Sequence, residues 1–424
     1  MAMKVNYKTG AAGIMMVFNL VILCVFPLVY HDYYYDMLET KYQFYSGAAI
    51  VMAAAMFLWG VLCGRVSACL KGFSIKTLIG VIKKLRFVDW AMLAFWASNL
   101  ISWFLCVDWR WDAFWGTQGR YNGLFLMTIY MIVYFFVTRF SDLKKYYLDA
   151  FLFVGVLACL FGITDYFNMD ILGFKVNLSS DQIAIYFSTF GNINTYTIYV
   201  GLVFSVSMIL FACETGYIRT FLYYMILLIA GIAIITGNSD NAYLSLGALF
   251  GFSPFYLFRS KCGFRRYWIS VASFISVIRF VSWINARYAE KVLGVSSLFN
   301  MAEKYESFSK IIVLFWALAL LAVILTCFYK EEKFRLGRWL SVVWGLLLAA
   351  TGLTVLYVLY DANIAGNVEK YAAVRNYVVF NEGWGSGRGF AWINCIEMFK
   401  EMFSLREKIF GFGPDTLRLL MENF

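Results

Sequence analysis

The chain has 424 residues, 62% hydrophobic and 20% aromatic, with only 15% charged, whereas soluble globular proteins average about 45–50% apolar and about 25% charged. A formal net charge of +10 fits the basic cytoplasmic loops of a membrane protein and argues against a nucleic-acid surface. A single histidine, His31, with no Cys-x-x-Cys pair gives no constellation for a metal centre, so neither metal nor cofactor is expected.

Eleven apolar runs are long enough to cross a hydrocarbon core of about 30 Å. They lie near 11–30, 44–63, 88–107, 121–138, 146–164, 195–213, 219–236, 241–258, 267–285, 309–328 and 337–360. The basic opening of the chain is like that of a signal peptide, but no small-residue cleavage site follows Tyr30, and the run reads as a first span. Lys4 and Lys8 precede it, an acidic loop follows at 31–43, and the next loop is basic (Arg65, Lys71, Lys76, Lys83, Lys84, Arg86). The segment 108–120 is balanced, 139–145 is basic, and 165–194 is acidic. The turn 214–219 is neutral and 237–241 carries only Asp240. The loop 259–266 is basic, 286–308 is mixed, and 330–338 is basic again. This alternation predicts a cytoplasmic N-terminus and an outer face formed by 31–43, 108–120, 165–194, 237–241, 286–308 and the tail. The expected architecture is an all-α polytopic membrane protein: a transmembrane helical domain at 1–360 and an external loop at 361–424. With only three prolines, the helices should be mostly unbroken. The nine cysteines fall mostly in or beside apolar runs, where cysteine behaves as a small hydrophobe, so no disulfide framework is expected.

Four outward patches could carry chemistry. In the first, Arg120 sits between Gly119 and Tyr121 at the start of a helix. It is placed either to donate bidentately to a phosphate or to anchor the interface with Trp109, Trp111 and Trp115. The second is Phe190-Gly191-Asn192-Ile193-Asn194-Thr195, in which Asn194 or Thr195 would cap the sixth span. The third, Thr236 to Tyr243, contains Ser239 and Asp240 and also reads as a two-helix turn. The fourth has glycines at 383, 385, 387 and 389 with Arg388 between the last two, then an amphipathic helix (Phe390, Ile393, Ile396, Phe399, Phe403) and the turn Gly411-Phe412-Gly413-Pro414. A helix starting after Gly389 would aim free N–H groups at an anion beside Arg388; the alternative is a helix lying in the interface with Arg388 on lipid phosphates. Arg279, inside the ninth run, either snorkels outward or faces a polar cavity.

In order and spacing these patches resemble the O-antigen ligase family, which shares a superfamily with Wzy-type polysaccharide polymerases. The matching pieces are Gly116/Gly119-Arg120-Tyr121-x-Gly123, Phe190-Gly191-Asn192-x-Asn194, the turn Thr236 to Tyr243, and Gly387-Arg388-Gly389 with Trp392, Met398-Phe399-Lys400 and Gly411-Phe412-Gly413-Pro414. The resemblance covers roughly residues 88–424. It implies a metal-independent, GT-C-like glycosyltransferase of the bacterial cytoplasmic membrane. The donor would be a polyprenyl-diphosphate-linked glycan and the acceptor a hydroxyl of a glycan, lipid or wall component on the outer face, with membrane lipids as the other partners and no nucleic acid. Arg120 and Arg388 match the family's diphosphate-stabilising arginines. Tyr121, Asn192, Asn194, Ser239, Asp240, Gly387 and Gly389 fall in its substrate-binding motifs, and Arg279 is added on physical grounds. Asp240 stands where the family has arginine. The family's catalytic histidine lies beyond the Gly-Pro turn, in a His-Asn motif followed by further spans. Phe424 comes ten residues after Pro414, so the expectation is a C-terminally truncated chain without its general base, for which Glu382, Asp415 and Asp240 are poor substitutes. A transporter or flippase and a catalytically inactive relative are the alternatives. Transporters favour polar breaks at the midplane in repeated halves, whereas here the polar clusters gather at one face.

Overall fold

The computed structural model describes residues 7–422 apart from 73, 177, 184, 296–298, 300–306 and 329–335. Lys4, Phe424, most of 296–306 in the mixed segment and residues 330–335 of the last basic loop lie outside the described residues. Twelve helices carry the argument. They are α1 (Tyr7–Leu20), α2 (Met37–Leu62), α3 (Phe87–Leu105), α4 (Leu124–Phe140), α5 (Lys145–Tyr166), α6 (Ile193–Cys213), α7 (Tyr217–Thr236), α8 (Asn241–Phe252), α9 (Lys261–Arg287), α10 (Phe308–Cys327), α11 (Leu336–Asn363) and α12 (Trp384–Glu401). α1 runs on through a π-helical turn, Val21–Val25, and a 3₁₀ turn, Phe26–Leu28.

Among the described residues nine helices are long and apolar enough to cross a membrane, so the chain is an all-helical, multi-pass membrane protein. The two other expected spans are shorter. α4 has 17 residues, roughly 26 Å at about 1.5 Å per residue. The run expected at 241–258 is not one helix: α8 stops at Phe252 and a four-residue helix, Pro254–Leu257, follows. Pro254 has no N–H to donate, so the helical ladder is interrupted there.

The described chain forms two compact units: Met1–Val21, Lys41–Leu143 and Thr351–Phe424 in the first, Ile22–Thr40 and Lys144–Ala350 in the second.

In the second unit α6 packs against α5, α7, α8 and α9. Its buried face carries Tyr196, Val200, Val203, Phe204, Met208 and Phe211. Close approach depends on glycine, as is common between membrane helices. A Cβ added at Gly155 would stand 2.5 Å from Val203, and one at Gly162 would stand 2.1 Å from the Tyr196 hydroxyl. Basic groups gather at the C-terminal end of α6: Arg266 donates to the Phe211 carbonyl at 2.7 Å, and Lys145 pairs with Glu214. Cations there complement the helix dipole. Hydrogen bonds from Lys145 and from the Gly216 N–H hold the Glu214 carboxyl down at about 2, against an ordinary 4.5. Its contribution to stability is therefore complete above pH 4.5 and lost as the pH falls towards 2. Melting temperatures measured across this window should fall more steeply for the wild type than for Glu214→Gln; parallel curves would overturn this.

In the first unit α3 packs on α4, and its two ends differ in character. At the N-terminal end Asp89 is fully buried; it accepts from Arg139 at 2.9 Å, Tyr134 at 2.7 Å and the Arg86 N–H at 2.9 Å. The C-terminal end is met by the chain's last segment, as described below. Within this unit, the basic loops and the Arg120 loop thus lie at opposite ends of one helix of roughly 28 Å.

Candidate functional site

The loop after α3 is shaped by its glycines. Arg110 closes the end of α3 by donating to the carbonyls of Phe104 and Cys106. Gly116 and Gly119 then take φ of +90° and +86°. A Cβ at Gly116 would come within 2.4 Å of the Tyr121 backbone, and one at Gly123 within 2.3 Å of the Gly116 nitrogen, so the loop folds back on itself. Tyr121 is left-handed at φ 55°, and its ring stacks on Tyr42 of α2 at 4.7 Å. The Arg120 N–H donates to the Thr117 carbonyl at 3.1 Å, and the fold-back leaves the side chain exposed, with no hydrogen bond or ion pair to any described residue.

The last segment completes the site from nearly 300 residues away. The Gly413 N–H donates to Ser102 Oγ at 2.9 Å, and Arg406 donates to the Leu105 carbonyl at 2.9 Å. Gly413, at φ +105°, lies so close that its Cβ would be 3.0 Å from Ala113 and Cys106. Asp415 is the clamp: its Oδ2 accepts from the Thr117 N–H (2.8 Å), Thr117 Oγ1 (3.1 Å) and the Asn122 N–H (3.0 Å). With one oxygen so occupied, Asp415 serves as a tie between loops and is a poor candidate for the base. Between the two loops lies a cavity of about 810 Å³, lined among others by Gln118, Arg120, Asn122, Phe390, Asn394 and Arg418. Arg418 pairs with Glu422 at 2.7 Å. Asp415→Ala should free the turn at 411–416, giving faster proteolytic cleavage there and a lower melting temperature; unchanged cleavage would mean that Ser102 and Arg406 hold the turn without it.

The glycine-rich stretch differs from expectation. The helix begins at Trp384 rather than after Gly389, with Gly385 and Gly387 at φ +62° and +88° distorting its first turns. A Cβ at Gly389 would stand 1.8 Å from the Asn381 carbonyl oxygen. The N–H groups of Phe390 and Gly387 are taken by the carbonyls of Glu382 and Gly383, so the free N–H array expected beside Arg388 is partly used internally. Arg388 is exposed and has no polar partner among the described residues, but it does not line the cavity, whereas Phe390 and Asn394 of the same helix do. Phe390, Ile393, Ile396 and Phe399 are exposed and Met398 is buried. Asn363 at the end of α11 fixes the approach to this stretch, donating to the Val378 carbonyl and accepting from the Phe380 N–H, both at 2.7 Å.

The other two motifs meet in the second unit. The α6 cap is Asn192, not Asn194 or Thr195; its side chain accepts from the N–H groups of Asn194 (2.9 Å) and Thr195 (3.3 Å). Asn194 is thereby free to accept from Ser239 Oγ at 2.7 Å, which joins the second and third patches. Asp240, beside Ser239, is exposed. Buried Asp165 pairs with buried Lys175 at 3.1 Å and accepts from the Ser188 N–H at 2.7 Å, tying both arms of the 165–194 loop to α5. Arg279 is exposed on α9 with Phe280 and Trp283, the surroundings of an interfacial anchor. Arg120, Tyr121, Gly387, Arg388 and Gly389 thus belong to the first unit, and Asn192, Asn194, Ser239, Asp240 and Arg279 to the second. Sequence reasoning missed the Asp415 clamp, the lining residues Asn394 and Arg418, the Tyr42 stack and the Lys175 pair. Only Asp415, next to the Gly-Pro turn, carried a local signal. Compared with known proteins, the chain matches no family model, no curated protein and no solved structure.

Proposed function

We propose that this chain is a membrane glycosyltransferase, a ligase or polymerase. It transfers a polyprenyl-diphosphate-linked glycan to an acceptor hydroxyl on the outer face of a bacterial cytoplasmic membrane. The observation that carries this reading is the cavity in which the Arg120 loop and the Gly-Pro turn meet under the Asp415 clamp. Its volume of about 810 Å³ falls in the range of about 300–1,000 Å³ typical of ligand sites. Arg120 contributes a cation without an ion-pair partner among the described residues, while Gln118, Asn122 and Asn394 offer amides suited to sugar hydroxyls. In the reaction the acceptor oxygen bonds to the anomeric carbon as the bond from that carbon to the diphosphate breaks, and the hydroxyl proton passes to water at the open cavity. Charge accumulates on the leaving diphosphate, where a fixed arginine is most effective. Arg388, exposed on the neighbouring α12, is the second cation assigned to phosphate. The inward position of the basic loops and of the N-terminus belongs to this proposal.

The test is reconstitution in vesicles with a polyprenyl-diphosphate oligosaccharide and an acceptor glycan, followed by mass spectrometry. The expected products are free polyprenyl diphosphate and an extended acceptor. Passage of intact glycolipid across the bilayer without release of polyprenyl diphosphate would instead establish a flippase. Binding without either product would establish a non-catalytic relative.

A further inference from the structure

Between α2 and α3 the first unit carries a segment, 63–86, with Arg65, Lys71, Lys76, Lys83, Lys84 and Arg86 and no acidic residue. Within it stands a helix, Ile75–Ile82, opened by Ser74, whose Oγ accepts from the Thr77 N–H at 3.2 Å. At about 100° per residue, Ile75, Leu78, Ile79 and Ile82 share one face with Val81 at its edge, while Lys76, Thr77 and Gly80 fall on the other. The apolar face has no protein cover: Ile75 is 76% exposed, Val81 56%, and no residue of the helix is buried. The side chains of Lys71, Lys76, Lys83 and Lys84 are exposed and make no hydrogen bond or ion pair to any described residue. A helix of this length is marginal in water on its own, so it depends on a surface that covers the apolar face and receives the cations. The tethers fix where that surface lies. α2 ends at Leu62 and α3 begins at Phe87, and both are long and apolar enough to cross the membrane. Residues 83–86 join the helix to α3, a reach of at most roughly 14 Å. Their far end is held by Asp89, which accepts from the Arg86 N–H at 2.9 Å and lies 3.5 Å from Arg86 Nε.

We propose that the helix Ile75–Ile82 lies flat in the bilayer interface as a binding element for anionic phospholipid. Its apolar face enters the acyl boundary, and Lys71, Lys76, Lys83 and Lys84 meet the headgroup phosphates. Charge complementarity selects the lipid: six cations without an acid favour a headgroup of net negative charge over a zwitterionic one. The short tether favours the bilayer over a soluble acidic protein, because the apolar face cannot move far from the end of α3. The binding element holds whether or not the chain transfers glycan.

The test is hydrogen exchange, read by mass spectrometry, on the full chain in lipid nanodiscs that hold one copy each. One set is phosphatidylcholine alone and the other equal parts phosphatidylcholine and phosphatidylglycerol. Amides of 75–82 should exchange about tenfold or more slowly in the mixed discs, since each cation near an anionic surface is worth about fivefold. Lys76→Gln/Lys83→Gln/Lys84→Gln should remove most of that difference, as should high salt, and Ile79→Asp should speed exchange in both sets. Exchange across α3 in the same samples reports whether a variant is folded; should one fail, the wild type in the two lipid sets and at high salt still decides. Equal exchange in the two sets, or a difference left whole by high salt or by the glutamine substitutions in a folded chain, would overturn the proposal. Protection confined to discs holding two copies would also overturn it and would assign the apolar face to a second copy.

Discussion

Arg120→Ala should lower transfer from a polyprenyl-diphosphate donor by about 100- to 1,000-fold, the cost of removing one preorganised electrostatic partner from a transition state. The loss should fall mainly on kcat, because the diphosphate acquires its full charge only as the sugar leaves. Arg120→Lys should recover part of it, since a lysine keeps the charge and loses the two-pronged geometry. The Arg120 side chain has no hydrogen bond or ion pair to any described residue, so none of these is broken and the melting temperature should hold. Arg388→Ala should cost less, because Arg388 does not line the cavity. Equal losses in the two variants, measured as initial rates of polyprenyl diphosphate release, would place the leaving group outside the cavity under the Asp415 clamp.

The largest expected effect on stability is at Gly162. Its missing Cβ leaves room for the Tyr196 hydroxyl, which would otherwise be 2.1 Å away, and Tyr196 is itself completely buried. The ring cannot swing aside without displacing Phe187 and Phe190, which pack against it. Overpacking of this kind typically costs about 1–3 kcal/mol for a single methyl, and Gly162→Leu should cost more. Gly162→Ala should therefore melt several degrees below the wild type in detergent. Gly80→Ala, also inside a helix and with nothing within 4 Å of the new methyl, is the matching control and should hold or raise the melting temperature. An unchanged melting temperature for Gly162→Ala would show that α5 and α6 can separate without loss.

The helical spans were legible because a membrane core imposes one length on every apolar run, and all eleven runs coincide with helical segments. What was missed followed from terms that do not show in such runs. Pro254 was visible in the sequence, yet its effect on the eighth run depends on a hydrogen bond that only the backbone ladder defines. The cap of α6 fell on Asn192, two residues before Asn194, because Gly191 at φ +68° turns the chain there and leaves Asn194 inside the first turn. Around Arg388 the alternating glycines signalled close approach, and the approach proved to be internal, of Gly389 to Asn381. The site itself was legible residue by residue for Arg120 and the Gly-Pro turn. Their union was not, since the clamp joins positions 298 residues apart and no local pattern encodes it.

That separation also sets a schedule for the ribosome. Chain growth at about 5–20 residues per second places roughly 15–60 s between synthesis of Thr117 and synthesis of Asp415. During that interval the Thr117 and Asn122 N–H groups lack the carboxylate they meet in the finished fold, and the spans before and after are already entering the membrane. Assembly of the cavity thus waits until residue 415 has been made. A nascent chain interrupted before residue 415 presents an inserted helical body whose Arg120 loop has yet to receive its tie.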